Sequence, residues 1–276
     1  SYPNSFMGAV ALLRQSIYDA IWAHHNNDQR NLSLTSLHEN LKLKPVIEVD
    51  NHKAIRNALN LSEEFKMNFI IKGAGDEYLS LDELAGAQFI LPVNFPSAYD
   101  VSDPYESLSL SLEKMKHWEL APANAALMAS RDVDFAFTAF GLKNTEDFLE
   151  NVKSCVKHGL SEELALKALT SIPAKMLGIS DTYGALKKGM KANFIVCEKN
   201  LFNSNSKILE NWIQGKAFEV NQKQEHDYRG SYILKINGEI FPVEIVGEPE
   251  NLDAKLISKD TTKVSFTIEN ELIKLS

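Results

Sequence analysis

The sequence predicts an α/β fold in which a parallel sheet comes first and short antiparallel strands follow. Four apolar runs between residues 46 and 139 are continuous rather than alternating, which indicates strands that are buried on both faces. Helical patterns separate these runs, as parallel strands require. After Gly178 the pattern changes to short strands punctuated by glycine. The four strand–helix units correspond either to half of a (β/α)8 barrel or to a small open sheet.

The individual elements follow from hydrophobic spacing and from turn residues, taken in chain order. The predicted strands of the first part are 46–50, 67–72, 88–93 and 134–139. The predicted helices around them are 6–24, 52–65, 76–86 and a group that ends near residue 130. The mostly polar stretch 24–40 can include a short helix. Two further helices are predicted after the fourth strand, one capped by Thr145 and one that begins at Ser161.

The second half of the chain contains short strands and predicted hairpins. Strands are predicted at 192–196 and 208–213, and a Gln214-Gly215 turn follows the second. The polar stretch 221–230 is typical of a linker, so residues 228–276 are expected to form a separate β module. Within that module, Asn237-Gly238 and Glu269-Asn270 predict two hairpin turns.

Composition and charge argue against several classes of protein. The formal net charge is −8 and no Lys/Arg cluster offsets it, which argues against nucleic-acid binding. The apolar runs are too short to cross a bilayer. The two cysteines, Cys155 and Cys197, lie in apolar patterns and are predicted to be buried thiols rather than zinc ligands or a disulfide framework. His24 and His25 are adjacent, which favours surface or packing roles over chelation.

The N-terminal segment "SYPNSFMGAVALLRQ" enters directly into a helical pattern. It has no initiator methionine, no basic region and no apolar signal-peptide region. We therefore expect a cut made inside a longer protein, with the targeting information outside this sequence. The cellular compartment is accordingly not predicted.

An ordered series of motifs between residues 172 and 216 carries a family resemblance. Its members are Ile172-Pro173-Ala174-Lys175-Met176-Leu177-Gly178, Gly184, Leu186, Gly189, Ala192-Asn193-Phe194-Ile195-Val196 and Gly215-Lys216. This order resembles the C-terminal part of the amidohydrolase superfamily, and most of all its imidazolonepropionase-like branch. The resemblance covers roughly residues 1–220.

The resemblance implies a (β/α)8 barrel followed by a small β-sandwich segment. The four predicted strands would be barrel strands five to eight, and strands one to four, with the family's His-x-His pair, would lie before Ser1. The implied domains are a half-barrel at 1–178, a β-sandwich segment at 179–222, and, outside the resemblance, a small antiparallel β module at 228–276.

The resemblance also implies where a metal centre would lie. In the family, strands five and six each end in a metal-binding His and strand eight ends in an Asp, and they hold divalent metals such as zinc that activate water. Here those positions fall on Glu48, Gly73 and Phe140, so two ligands are lost and we expect no metal cofactor in this segment. A remnant site would consist of Glu48, Asp50, His52 and Lys72. In it, Lys72 and Glu48 can form an ion pair across neighbouring strand ends.

Family members hydrolyse carbon–nitrogen bonds other than peptide bonds, and three hypotheses for this chain remain open. The first is a catalytically degenerate segment that serves as a scaffold or partner domain in a larger protein. The second is an active metal-dependent amidohydrolase whose main ligands lie in a missing N-terminal half. The third treats the module at 228–276 as a binding or docking unit.

A half-barrel has a further consequence for association, because four barrel strands cannot close on themselves. We expect a partner, either the missing half or a second copy of the chain. The partner would cover apolar side chains that include Ile47, Ile71, Leu91 or Phe137, depending on register.

Overall fold

The structure is a computed structural model in which the chain forms two compact units, Ser1–Val220 and Asn221–Ser276. The residues that it describes are 3–26, 31–221, 228–236, 239–248, 251–256, 262–264, 266–269 and 272–275. The predicted Asn237-Gly238 turn and Asn270 of the second predicted turn lie outside the described residues. Among the described helices, none is both long and apolar enough to span a membrane.

Two helices precede the sheet, α1 (Phe6–His25) and α2 (Leu32–Leu41). The side chain of Ser5 caps α1 by accepting a hydrogen bond from the Gly8 backbone N–H at 3.1 Å. Asn31 caps α2 in the same way through the backbone N–H groups of its first turn. Helix α1 confirms the prediction for 6–24, and α2 confirms the short helix expected within 24–40.

Four parallel strands form the main sheet, in the order β1-β2-β3-β4. They are β1 (Val46–Glu48), β2 (Ile70–Lys72), β3 (Gln88–Pro92) and β4 (Asp134–Thr138). The strands are in direct register, with Ile71 opposite both Ile47 and Phe89. Because all four run the same way, their carboxyl ends meet at one edge of the sheet, which places the last residues of β1 and β2 side by side.

The larger core lies on one face of this sheet. Ile71, Phe89 and Leu91 are almost fully buried there, and Ile47 and Phe137 pack against the same cluster. The other face carries a smaller cluster of Ile70, Ala136 and Met176.

This arrangement corrects one expectation. Ile47, Ile71, Leu91 and Phe137 do not form an open face awaiting a partner, because strand alternation turns them toward the helices.

The helices of the first unit follow the strands. They are α3 (His52–Phe65), α4 (Pro104–Ser109), α5 (Leu112–Leu120), α6 (Asn124–Ala129), α7 (Asp147–Lys157), α8 (Glu162–Leu169) and α9 (Ser171–Met176). The prediction for α3 is confirmed at both ends. Ser161 caps α8 as predicted, accepting from the Leu164 N–H at 3.3 Å. Met176 of α9 covers the smaller cluster of the sheet.

Two predictions in this region are wrong. The helix predicted at 76–86 is a pair of 3₁₀ turns, Glu77–Leu79 and Leu81–Glu83, because Ser80 between them has φ −133° and ψ 24°, outside the helical region. Thr145 does not cap α7, whose N-cap residue is Glu146. The neighbouring Asn144 side chain instead accepts the Glu146 N–H at 3.1 Å.

A second sheet of three antiparallel strands completes the first unit. Its strands are β5 (Phe194–Cys197), β6 (Ile208–Ile213) and β7 (Lys216–Glu219), in that order. Gln214 and Gly215 both have positive φ, 50° and 83°, which a two-residue hairpin turn requires. Cys155 is buried as predicted, but Cys197 at the end of β5 is partly exposed.

The second unit is all β. Strands β8 (Gly230–Ile236), β9 (Glu239–Glu248), β10 (Asn251–Leu256) and β11 (Thr262–Val264) form an antiparallel sheet in the order β11-β10-β9-β8. Strands β12 (Phe266–Glu269) and β13 (Leu272–Leu275) pair with each other. Val243, Ile245 and Ala254 are its described buried core.

Candidate functional site

The carboxyl edge of the main sheet brings Glu48, Lys72 and Phe140 together. Glu48 and Lys72 are opposite each other in register, and their side chains form an ion pair with Nζ 3.0 Å from Oε1. The Lys72 ammonium also lies 2.8 Å from the centre of the Phe140 ring. Only 14% of the Lys72 side chain is exposed, so the ammonium fills the space between a carboxylate and an aromatic ring.

Gly73, at the expected strand-six ligand position, has no room for a side chain. A Cβ atom placed there would collide with the carboxylate of Glu77. Glu77 is fully buried and accepts hydrogen bonds from the backbone N–H groups of Ala74, at 2.7 Å, and Gly75, at 3.0 Å. The Asn124 side-chain amide donates to its other oxygen. A histidine at position 73 would therefore have to displace a buried hydrogen-bonded carboxylate.

Asn124 links this carboxylate to the following turn. Its Oδ1 accepts the Tyr78 backbone N–H at 2.9 Å while its amide group bonds to Glu77. Burial is the largest influence on Glu77 and raises the pKa of its carboxyl group, although its hydrogen bonds act in the opposite direction. The buried polar groups of Glu77 and Asn124 thus bond to each other and to the backbone after β2.

The described hydrogen bonds of Asp50 and His52 involve other residues than Glu48 and Lys72. The His52 backbone N–H donates to Asp76 Oδ2 at 3.0 Å, and the His52 Nδ1 atom is 2.9 Å from the same oxygen. Asp50 is exposed and accepts a hydrogen bond from the Asn51 side chain at 2.7 Å. Asp76 Oδ1 is buried and has no hydrogen-bond partner within the described part of the chain.

Asp50, His52 and Asp76 line a cleft of about 820 Å³, together with Tyr78 and His117. The Tyr78 hydroxyl lies 3.1 Å from His117 Nδ1. Burial, followed by the charge of Asp76, raises the pKa of Tyr78, so the phenol stays protonated at neutral pH and can donate. The cleft can present two carboxylates, a phenol and two imidazoles to a polar ligand.

Sequence reasoning missed Asp76, Glu77 and Asn124. The acidic pair in "GAGDEY" directly follows the second strand, and that position in a parallel sheet is a recognised location for functional side chains. This pattern could have indicated Asp76 and Glu77. No local pattern indicates Asn124, which reaches Glu77 from 47 positions along the chain.

The divalent metal that the family resemblance implies does not fit these strand ends. Across the described residues, no three metal-ligating side chains converge at this edge of the sheet. Lys72 is a cation already paired with Glu48, Gly73 is blocked by Glu77, and Phe140 offers no donor atom.

Comparison with known families and structures agrees with the sequence resemblance at a coarser level. Residues 102–221 match the model of the amidohydrolase family. A crystal structure of an amidohydrolase from Thermotoga maritima MSB8 is similar, with a TM-score of 0.63 and 20% sequence identity over 79% of this chain and 57% of that one. A prolidase crystallised with N-methylphosphonate-L-proline is similar with a TM-score of 0.50 and 12% identity, over 68% of this chain and 48% of that one. No curated protein matches.

These comparisons show the fold of the chain and a family match over part of it. Residues 102–221, less than half of the chain, match the amidohydrolase family model, and the mixed α/β fold with a parallel sheet is similar to that of the solved amidohydrolase structure. The chain spans about half the length of the two solved structures, 57% and 48%.

Proposed function

We propose that this chain is an amidohydrolase-like domain that is catalytically degenerate in this segment and serves as a scaffold or partner domain in a larger protein. The observation that carries the proposal is the Lys72 ammonium, held between Glu48 and the Phe140 ring where a metal ion would be expected. The carbon–nitrogen hydrolysis typical of the family would then be performed outside this segment.

Electrostatics supports this proposal. A divalent ion 4 Å from the Lys72 ammonium would be repelled by about 8 kcal/mol at an effective dielectric constant of about 20. The blocked position at Gly73 removes one ligand that could offset this repulsion. Metal binding at these strand ends would therefore require the Lys72 ammonium to move away from Glu48 and Phe140.

The barrel assignment is a further part of the proposal. We assign β1 to β4 to strands five to eight of a (β/α)8 barrel, with a half-barrel at 1–178, a β-sandwich segment at 179–222 and a β module at 228–276. Sequential order and parallel pairing support this assignment, as does the antiparallel pairing of β5, β6 and β7. The motifs between residues 172 and 216 favour the imidazolonepropionase-like branch.

A half-barrel of this kind is expected to need a partner. In the described sheet, β1 and β4 are edge strands, and Val46 of β1 is 54% exposed. Phe6, Met7 and Trp22 of α1 are also exposed. We propose that the missing half, or a second copy of the chain, covers this apolar surface, part of which lies on the Ile70 face of the sheet because Val46 pairs with Ile70.

The test is metal analysis of the untagged full chain and of two strand-end variants. Glu48→Ala and Asp76→Asn are expected to leave the stoichiometry of bound transition metal unchanged. A stoichiometric metal that is lost in either variant would contradict the degenerate site. Circular dichroism of each variant serves as the control for folding.

One observation favours the alternative, an active metal-dependent amidohydrolase whose main ligands lie outside this chain. Asp76 Oδ1 is buried without a partner among the described residues, next to His52 and facing the same cleft. If this alternative holds, Asp76→Asn should lower the hydrolysis of a cyclic amide by the complete protein at least about 10-fold. Unchanged hydrolysis in this variant would favour the scaffold.

A further inference from the structure

A second group of metal-ligating side chains lies away from the sheet, between helices α1 and α2. His24 is in the last turn of α1, and His38 and Glu39 are in the last turns of α2. One donor atom from each residue lies within 4.8 Å of the other two. Among the described residues, this is the group in which at least three metal-ligating side chains of His, Cys, Asp or Glu converge.

The two imidazole rings are stacked rather than apart. Their centres are 3.8 Å apart and their planes differ by 12°. His38 Nδ1 is buried and has no hydrogen-bond partner in the described part of the chain. A buried polar atom without a partner is costly, and a bound ion would remove that cost.

The donor atoms lie near enough for one tetrahedral ion once the stacked rings turn apart, because an imidazole binds a metal ion in the plane of its ring. Zinc–nitrogen and zinc–oxygen bonds of about 2.0–2.2 Å place neighbouring donor atoms about 3.4 Å apart. The observed separations of up to 4.8 Å therefore need a closure of little more than about 1 Å. His24 and Glu39 are exposed, and rotation of both side chains can supply that closure and turn the His24 ring out of the stack.

Two neighbouring side chains, Lys42 and His25, bear on this group. Lys42 Nζ lies 2.7 Å from both carboxylate oxygens of Glu39. The His25 ring centre is 6.2 Å from that of His24. An incoming ion must therefore compete with Lys42 for Glu39, and this competition predicts binding that tightens when Lys42 is removed.

We propose that His24, His38 and Glu39 bind a transition-metal ion of the zinc type, with water in the fourth position. Two imidazoles and one carboxylate suit zinc, copper or nickel, whereas magnesium and calcium prefer oxygen ligands. The ion would join α1 to α2 and stabilise the folded chain by mass action. This site is separate from the strand ends and does not depend on the proposed function.

The experiment is titration of the untagged full chain with Zn²⁺, followed by calorimetry, and with Co²⁺, followed by visible absorption. We expect one saturable equivalent of Zn²⁺ and a higher thermal midpoint in its presence. Glu39→Gln, which can fold without change at an exposed position, should weaken binding at least about 10-fold, and His38→Ala should do the same. Lys42→Met should tighten binding.

His158→Ala is the matched control, because His158 Nδ1 bonds to the Ser154 carbonyl oxygen at 2.8 Å and takes no part in the group. It should bind Zn²⁺ as the parent chain does. Binding that survives both Glu39→Gln and His38→Ala would overturn the proposal, as would Mg²⁺ that competes equally with Zn²⁺. Far-ultraviolet circular dichroism of the apo variants separates lost ligation from lost folding.

Discussion

Gly73→Ala tests the contact that blocks the expected strand-six ligand. The added methyl group would collide with Glu77, which must then move from the hydrogen bonds donated by Ala74, Gly75 and Asn124. Hydrogen bonds to a charged group contribute about 1.5–3 kcal/mol each, so loss of one or two costs about 2–5 kcal/mol. The substitution also stabilises the protein by about 0.4–1 kcal/mol, because alanine has less conformational freedom than glycine in the unfolded chain. We expect the free energy of unfolding to fall by about 1.5–4 kcal/mol.

The assay is urea unfolding of four proteins, the parent, Gly73→Ala, Glu77→Ala and the double variant. Tryptophan fluorescence reports on the first unit, since Trp22, Trp118 and Trp212 all lie within it. The two losses should not add, because removal of Glu77 makes room for the methyl group. A Gly73→Ala protein within about 0.5 kcal/mol of the parent, or losses that add within about 0.5 kcal/mol, would refute the reasoning.

Three further predictions follow. Burial raises the pKa of Glu77, so its stabilising contribution is present below the unfolded pKa of about 4.3 and is lost as pH rises through the folded pKa. Above about pH 4.3 the free energy of unfolding should therefore fall less steeply with pH in Glu77→Gln than in the parent. The same pH dependence in both proteins would contradict this. Burial raises the pKa of Cys155 to about 12, so this thiol should not react with iodoacetamide in the native chain. Peptide mass mapping should show labelling of the partly exposed Cys197 alone in the native chain, and labelling of both thiols after unfolding. Sedimentation should detect self-association through the exposed apolar surface of α1, and Trp22→Glu should weaken it, whereas a dilute stable monomer would contradict association through a second copy.

The order of the strands could be predicted from sequence because each strand lies in one apolar run, and most helices could be predicted from their hydrophobic periodicity. The strand lengths were overestimated, as at 67–72, where only Ile70–Lys72 joins the ladder. Lys66 ends α3 with φ 52°, and the next residues carry the chain from the helix to the sheet. Apolar composition alone does not separate these connecting residues from those that pair.

The candidate site was less predictable than the fold. The Glu48–Lys72 pair follows from two adjacent strand ends and was anticipated from sequence. Glu77 was placed in a helix, because the spacing of 76–86 gives no sign that a buried carboxylate turns back on Gly75. The contact of His24 with His38 depends on how α1 and α2 pack, which neither sequence pattern specifies.

The strand ends satisfy most of their polar groups internally, and this makes a metal centre difficult to build there. A histidine at position 73 needs the space of Glu77, yet removal of Glu77 leaves the Ala74 and Gly75 N–H groups without their acceptor. An aspartate at position 140 would remove the ring beside Lys72 but would add a second carboxylate to pair with the same ammonium. Each single substitution toward a metal ligand therefore strengthens a competing contact or leaves a buried donor unpaired. A metal centre at this edge therefore requires changes at 72, 73, 77 and 140 together, because no one of these changes leaves the others compatible with it.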